Sequence, residues 1–321
     1  MNRLIEFKQI QKKYGEKYAI KELSLSIDEG EIFVLVGPSG SGKTTSLKMI
    51  NGLSQPSVGE IFFKGKSLKE YNLQKMRWQM GYVLQQIALF PTMSVKQNIE
   101  VIPEMIGWER KKREQVVDQL LEKVGLDPKI YRNRMPQELS GGEQQRIGIL
   151  RALAASPEVI LMDEPFSALD PLSRSSLQDL VLSLHQELGT TIVFVTHNMD
   201  EAIKLGDRIA VMKDGELIQC DTPEQLLASP KNNFVRSFFD ETIQQKQQTV
   251  KDLVLAKCYS QNQHHSNQPF VYLSTPLNEV YKLLSQHEII TIQENNEWIG
   301  EVTRKDILTY LSRKERENEK I

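Results

Sequence analysis

Residues 1–30 alternate between apolar and polar side chains, in stretches such as "LIEFKQI" and "LSLSIDEG". A period of two is typical of strands with one buried face, so this pattern predicts antiparallel strands that turn at Gly15. The next stretch, "EIFVLVG", is almost wholly apolar and runs into a glycine-rich loop. It predicts a strand buried on both faces, followed by a helix through "KTTSLKMINGL".

Residues 93–157 are mostly charged, helix-forming segments such as "REQVVDQLLEKVGL". After them come the strand "VILMDE", the helix "SRSSLQDLVLSLHQELG", the strand "TIVFVTH", a helix from Asp200 and the strand "RIAVMKDGELIQ". Strands and helices that alternate in this way predict a parallel sheet with helices on both faces. The predicted fold class is therefore α/β.

The end of the chain differs in composition. Residues 241–250, "ETIQQKQQTV", are rich in glutamine and predict a linker. The pattern then predicts a small unit of strand, helix, strand, strand and helix, before a charged terminus. We therefore expect a main domain at 1–240, a linker at 241–250, a small α+β unit at 251–313 and a frayed end at 314–321.

Charge and cysteine content exclude several classes of function. The net charge of −2 gives no electrostatic support to a general nucleic-acid role. Two single cysteines fit a reducing compartment and give no metal-binding spacing. The start "MNRLIEFKQI" lacks the apolar core of a signal peptide, and no apolar run approaches the roughly 20 residues of a membrane helix. We expect any membrane role to depend on partner proteins.

The glycine-rich loop matches the phosphate-binding pattern G-x-x-x-x-G-K-[ST] from Gly37 to Thr44, between a predicted strand and a predicted helix. Backbone N–H groups of such a loop, and the positive end of the helix, can hold phosphate oxygens. Lys43 would reach the β- and γ-phosphates and Thr44 would hold Mg²⁺. A simple glycine-rich helix cap is the alternative. The candidate ATP-binding residues here are Gly37, Pro38, Ser39, Gly40, Ser41, Gly42, Lys43, Thr44 and Thr45.

Two acids follow the buried strand "VILM". Asp163 is a candidate to hold Mg²⁺ through water, and Glu164 is a candidate to orient or deprotonate an attacking water. A solvated Asp–Glu pair is the alternative, although four preceding apolar residues argue against it. By themselves, His197 is most simply a buried core histidine and Gln85 a polar residue beside a strand.

A second loop, "ELSGGEQQRIGILRAL", also has the form of a phosphate cradle but contains no lysine. Together these segments resemble the ATP-binding subunit of an ABC transporter over about residues 3–240. "GPSGSGKTT" is similar to Walker A, "LSGGEQQR" to the signature, "VILMDEP" to Walker B and "SALD" to the D-loop. The resemblance implies a P-loop NTPase with a RecA-like parallel sheet core, an antiparallel β subdomain and a helical signature subdomain.

The resemblance also implies roles. Tyr14 would stack on adenine, Glu164, His197 and Gln85 would be catalytic, and Thr44, Gln85 and Asp163 would hold Mg²⁺. The signature residues would bind the γ-phosphate of an ATP held by a second copy, so two ATPs would lie within a homodimer. The Ser140-x-x-Glu143 spacing also fits a helix capping box. The implied contacts to the partner's ATP come from Ser140, Gly141, Gly142 and Glu143.

Stretches such as "GYVLQQIALFPTMSVKQNI" look most like importers of osmoprotectants or quaternary amines, such as glycine betaine, carnitine or choline. This implies permease subunits as partners, a solute-binding protein acting indirectly, and a peripheral position on the cytoplasmic face of the cell membrane. Methionine or polyamine importers, or a soluble ABC ATPase without a transport role, are the alternatives.

The small C-terminal unit resembles a single CBS motif, mainly through "GEVTRKDIL". In such motifs a threonine and an aspartate contact a nucleotide ribose, which here implies Thr303 and Asp306 and a regulator such as cyclic di-AMP. A plain helix cap is an equal alternative. Because a lone motif buries little apolar surface, we expect it to pair with its copy across the homodimer.

Overall fold

A computed structural model of the chain describes residues 2–86, 88–167, 169–246, 248–261, 268–294 and 297–318. Two compact units are present. One contains the residues up to Leu169 together with Leu177–Ser237, and the other contains Asp170–Ser176 and the residues from Phe238 onward. Within the described ranges, the search for helices that are long and apolar enough to span a membrane found none.

A ten-stranded sheet organises the first unit, in the order β5-β4-β1-β2-β10-β9-β3-β8-β7-β6. Strands β9, β3, β8, β7 and β6 run parallel, whereas β1, β2, β4 and β5 form an antiparallel part. The predicted α/β class, with its parallel core and antiparallel subdomain, is confirmed. The strands are β1 Arg3–Tyr14, β2 Lys17–Asp28, β3 Ile32–Val36, β4 Val58–Phe63, β5 Lys66–Ser67, β6 Met80–Val83, β7 Val159–Asp163, β8 Thr191–Thr196, β9 Arg208–Lys213 and β10 Glu216–Asp221.

Every residue of β3, β7 and β8 is buried. Burial on both faces explains why these strands are continuous apolar runs, whereas β1 and β2 alternate. The helices are α1 Lys43–Ile50, α2 Leu73–Arg77, α3 Val95–Met105, α4 Arg110–Lys123, α5 Pro128–Tyr131, α6 Gly141–Leu153, α7 Pro171–Leu188, α8 Met199–Leu205, α9 Pro223–Ala228 and α10 Asn233–Lys246.

The segment "RIAVMKDGELIQ" is a hairpin, and our prediction of one strand was wrong. Strand β9 ends at Lys213, and β10 returns antiparallel to it. Asp214 and Gly215 form the turn with φ of 49° and 80°. Two successive positive φ values are typical of the two-residue Asp-Gly hairpin turn, which the apolar pattern alone did not reveal.

The glutamine-rich stretch predicted as a linker is helical as far as Lys246, since α10 runs through it. Glutamine and lysine have good helix propensity, so a polar composition does not by itself end a helix. Helix α11, Val250–Leu255, follows closely.

The second unit has its own three-stranded sheet, in the order β11-β12-β13. A separate apolar cluster includes Val271, Leu284, Ile290, Val302 and Ile307. The predicted order of strand, helix, strand, strand and helix matches the observed elements. They are β11 Phe270–Tyr272, α12 Leu277–Gln286, β12 Ile289–Glu294, β13 Glu297–Thr303 and α13 Arg304–Asn318, and the last residues of the predicted charged terminus, 319–321, lie outside the described part.

Candidate functional site

The candidate site lies at the carboxyl ends of the parallel strands, where open α/β sheets bind their ligands. Strand β3 leads into the phosphate loop, β7 ends at Asp163, and β8 ends just before His197. Gln85 follows β6 by two residues. Segments that are far apart in the chain therefore meet at one edge of the sheet.

Glycines 37 and 42 give the phosphate loop its shape. Their φ values are 154° and 100°, in the region that favours glycine. A Cβ on Gly37 would lie 2.1 Å from the Met212 carbonyl oxygen, and one on Gly42 would lie 2.8 Å from the Ala19 carbonyl oxygen. Side chains are therefore excluded at both positions, and helix α1 begins directly after this turn.

Lys43 lies inside the loop with only 5% of its surface exposed. Its Nζ donates hydrogen bonds to the carbonyl oxygens of Gly37, at 2.6 Å, and Pro38, at 2.9 Å. Burial lowers the pKa of Lys43, while the nearby carboxylates of Glu164 and Asp163 oppose that effect. An anionic phosphate would replace the two carbonyls as the stronger partner of this ammonium.

The buried hydroxyl of Ser41, in the same loop, has no hydrogen-bond partner within the described residues. Buried polar groups normally have partners, so this oxygen fits a loop that is completed by a ligand. Pro38, Ser39 and Gly40 are exposed at the tip of the loop, and Thr45 is partly buried on α1.

Thr44 and Asp163 meet across the site, since the Thr44 hydroxyl donates to Asp163 Oδ1 at 2.8 Å. Burial raises the pKa of Asp163, against the lowering effect of the Thr44 hydrogen bond. A hydroxyl and a carboxylate oxygen are hard donors that suit Mg²⁺. Within the described residues, the search for groups of three or more His, Cys, Asp or Glu that could hold a metal found none.

Glu164 accepts two contacts on one oxygen. His197 Nδ1 lies 3.0 Å and Gln85 Nε2 lies 3.3 Å from Glu164 Oε2. Glu164 has a φ of 45°, and its backbone N–H donates to the Val195 carbonyl at 3.0 Å. His197 is therefore an exposed partner of this carboxylate, and its interpretation as a core histidine was wrong.

The signature loop lies at the start of α6. Ser140 Oγ accepts from the Glu143 N–H at 3.3 Å, and Glu143 Oε2 accepts from the Ser140 N–H at 2.7 Å. The predicted capping box is therefore present, and Gly141 would meet nothing within 4 Å if it carried a Cβ. Gly142 follows in the first turn. Among the described residues, no hydrogen bond joins this loop to the phosphate loop of the same chain, and Ala168 of the D-loop segment lies outside the described part.

Tyr14, at the end of β1, has 55% of its surface exposed. Its hydroxyl lies 3.2 Å from Ser54 Oγ, and the Lys12 ammonium lies 4.7 Å from its ring centre. An exposed ring anchored through its hydroxyl can stack on a planar base.

In the second unit, Asp306 Oδ2 accepts hydrogen bonds from the Thr303 N–H, at 2.9 Å, and the Thr303 hydroxyl, at 2.6 Å. Both residues therefore form a cap at the start of α13, and the cap occupies the groups that the resemblance assigned to a ribose.

Among the buried polar residues that the sequence analysis did not single out, Gln145 lies nearest in the chain to the signature loop. Gln145 on α6 is 4% exposed, and its Nε2 donates to the Pro165 carbonyl oxygen at 2.7 Å. Its spacing from the buried Ile149 and Ala152 was a signal, because a polar residue on the apolar face of a helix needs a partner.

Comparisons with known proteins show the family of this chain. The ABC transporter family model matches residues 20–167. The osmoprotectant import ATP-binding protein OsmV of Salmonella typhimurium is 43% identical over 302 residues, which span 92% of this chain and 77% of OsmV. The glycine betaine/carnitine/choline transport ATP-binding protein OpuCA of Bacillus subtilis is 50% identical over 236 residues, which span 73% of this chain and 62% of OpuCA. The chain therefore matches less than two thirds of the length of OpuCA.

A solved structure supports the same relationship. The dimeric cassette MJ0796 bound to ADP and Pi superposes with a TM-score of 0.62 and 35% identity, over 68% of this chain and 99% of MJ0796. Likeness of this extent in both sequence and fold establishes the family, and the chain belongs to the ATP-binding, ATP-hydrolysing subunits of ABC transporters.

Proposed function

We propose that this chain is the energy-coupling ATPase of an importer for quaternary amines such as glycine betaine, carnitine or choline. The observation that carries the ATPase assignment is the convergence of Lys43, the Thr44–Asp163 pair and Glu164 at one sheet edge. The solute class rests on the names of two relatives. OsmV is named as an osmoprotectant import protein, and OpuCA is named as a glycine betaine, carnitine and choline transport protein.

In the proposed hydrolysis step, Lys43 binds the terminal phosphates and Tyr14 stacks on adenine. Glu164 orients and deprotonates the attacking water, since His197 and Gln85 hold one of its oxygens and limit its rotation. Thr44, Asp163 and Gln85 would hold Mg²⁺, which neutralises charge on the phosphates when it is bound. The rest of the loop, Gly37 to Thr45, supplies N–H and hydroxyl donors.

The ATP-bound form is proposed to be a homodimer. The positive end of α6 and the N–H donors of its first turn suit a phosphate, and we assign that phosphate to an ATP held by a second copy. Ser140, Gly141, Gly142 and Glu143 would make these contacts. The dimeric ADP- and Pi-bound form of MJ0796 supports this arrangement.

The proposed partners are permease subunits in the membrane, with a solute-binding protein acting through them. The chain would then lie at the cytoplasmic face of the membrane as a peripheral subunit. Closure of the dimer on ATP and its opening after hydrolysis would move the permease between its two states, in the manner of other nucleotide-driven switches.

The C-terminal unit is proposed to pair with its copy in the dimer. Large apolar side chains remain exposed on this small unit, among them Leu255, Phe270, Tyr272 and Leu308. Burying such side chains against a second copy would stabilise both. A nucleotide such as cyclic di-AMP would have to displace the Thr303–Asp306 hydrogen bonds in order to use those groups.

The test is recovery of the tagged chain from detergent-solubilised native membranes, with its partners identified by mass spectrometry. We expect a permease and a solute-binding protein with an aromatic cage for a quaternary ammonium. The complex, reconstituted in vesicles, should take up betaine, carnitine or choline on addition of ATP, and a Lys43→Ala complex should assemble without uptake. Uptake of methionine or a polyamine instead would support the alternative importer class. Recovery only from the soluble fraction, without a membrane partner, would contradict the transport role.

A further inference from the structure

Gln145 connects two segments of the first unit. One is the signature loop at the start of α6, and the other is the segment after β7 that carries Glu164. The Gln145 side chain starts on α6, five residues after Ser140, and ends on the carbonyl of Pro165. At 1.5 Å per residue, about 7 Å of helix separates the two positions. The donor–acceptor distance of 2.7 Å is short for an amide, and the bond is fully buried.

The carbonyl that Gln145 holds belongs to the residue directly after Glu164. The backbone of Glu164 is strained, because its φ is 45° and a proline follows it. A strained conformation persists only when its surroundings hold it in place. On one side the Val195 carbonyl accepts from the Glu164 N–H at 3.0 Å, and on the other side the Ser167 hydroxyl donates to the Glu164 carbonyl at 3.0 Å.

These two contacts come from the neighbouring strand and from the turn itself. Gln145 differs from both, because it comes from the helix that Ser140 caps and whose first turn carries Glu143. A packed helix moves as a rigid element, so a displacement at its start reaches Gln145 nearly unchanged. The Gln145 amide therefore links the helix that begins at the signature loop to the residue directly after Glu164.

We propose that Gln145 is a positioning residue that couples the two ATP sites of the dimer. It would set the Glu164 carboxylate for hydrolysis in its own site when the signature loop of the same chain has engaged the partner's ATP. This inference rests on the proposed function, since it needs two ATPs held between two copies. It goes beyond that function by assigning the coupling to one amide–carbonyl hydrogen bond.

The variant Gln145→Leu removes the donor with little change of volume. Because misplacement of a reacting group by about 1 Å can cost about a hundredfold in rate, we expect kcat to fall by about tenfold to a hundredfold. The KM for ATP should stay within about twofold, since Lys43 and the phosphate loop are untouched. The Hill coefficient for ATP should fall towards one. Tyr71→Phe, which removes a similar bond from Tyr71 to the Phe63 carbonyl at 2.9 Å, should leave kcat and the Hill coefficient unchanged.

Gln145→Glu separates positioning from packing. Its ionised carboxylate cannot donate to the Pro165 carbonyl, but a protonated carboxyl can, and burial favours protonation. The kcat of Gln145→Glu relative to wild type should therefore recover as the pH falls, while the ratio for Gln145→Leu stays flat. A purely structural role would give no such acid rescue.

Two further variants distinguish a failure of the proposed ATP-bound dimer from a failure of the Gln145 coupling. Glu164→Gln and the double variant Gln145→Leu, Glu164→Gln should both form an ATP-dependent dimer on size-exclusion chromatography. Absence of the dimer in Glu164→Gln alone would overturn the proposed sandwich, and the coupling with it. A normal dimer together with wild-type kcat and Hill coefficient in Gln145→Leu would overturn the coupling alone, as would a flat pH ratio for Gln145→Glu.

Discussion

Nδ1 of His197 lies 3.0 Å from Oε2 of Glu164, and Nε2 of Gln85 reaches the same oxygen at 3.3 Å. A carboxylate only accepts hydrogen bonds, so both nitrogens donate when Glu164 is ionised. Two donors on one oxygen fix the plane of the carboxylate. They leave its other oxygen, Oε1, for the attacking water in the proposed hydrolysis step.

Glu164→Gln should retain ATP binding and lose turnover. The amide keeps the size of the side chain but cannot take a proton, and general-base catalysis contributes about a hundredfold to ten-thousandfold. We expect kcat to fall by that range and the ATP-bound dimer to accumulate, as measured by phosphate release and size-exclusion chromatography. Glu158→Gln, which changes an acid paired with Lys64 just before β7, is the control and should keep wild-type activity. Wild-type turnover in Glu164→Gln would remove Glu164 from the base role.

Lys43→Met should weaken nucleotide binding by about a hundredfold, or ~3 kcal/mol, because it deletes the buried cation that we propose binds the terminal phosphates. Calorimetric titration with ATP measures the loss. Lys69→Met, which removes an exposed ammonium 2.8 Å from Glu60, should leave the affinity unchanged. Equal affinities for ATP in Lys43→Met and the wild type would contradict the proposed contact.

Asp163→Asn should stabilise the nucleotide-free protein while it abolishes Mg²⁺-dependent hydrolysis. Burial raises the folded-state pKa of Asp163 above the ordinary value of an aspartate, so the folded state binds the proton more tightly than the unfolded state. The stability that this protonation contributes is complete below the unfolded pKa and is lost as the pH rises through the folded pKa. At neutral pH the ionised carboxylate therefore destabilises the folded state, and its removal should add about 1 kcal/mol to the free energy of unfolding.

The measurement for Asp163→Asn is denaturant unfolding between pH 4 and pH 8 in the presence of EDTA. The free energy of unfolding that Asp163→Asn gains over wild type should grow as the pH rises through this range, because asparagine does not titrate. The asparagine side chain can still accept the hydrogen bond from the Thr44 hydroxyl. A gain that shrinks with rising pH would contradict the assigned direction of the Asp163 pKa shift.

Gly300→Ala should destabilise the C-terminal unit by about 2 kcal/mol, a typical cost of overpacking. A Cβ there would lie 2.5 Å from Tyr259 Cδ2 and 2.6 Å from the Ser260 carbonyl oxygen. Hydrogen exchange should rise in β12 and β13, while the exchange of β3 and β8 stays at the wild-type level. Unchanged exchange in β12 and β13 would show that the local backbone relaxes without cost.

The local structure of this protein follows from short stretches of its sequence. Alternation predicted β1 and β2, continuous apolar runs predicted β3, β7 and β8, and the spacing of Ser140 and Glu143 predicted the capping box. The glycine and lysine pattern predicted the phosphate loop. Each of these depends on residues within a few positions of one another, where side-chain periodicity and backbone sterics decide the outcome.

Which of these segments meet depends on the packing of the folded chain. Thr44 and Asp163 are 119 positions apart, and His197 and Glu164 are 33 apart, so their contacts arise from the order of strands in the sheet. The same packing gave Gln145 its partner at Pro165. Chain periodicity carries no information on strand order, because a buried strand has the same apolar pattern whichever neighbour it pairs with.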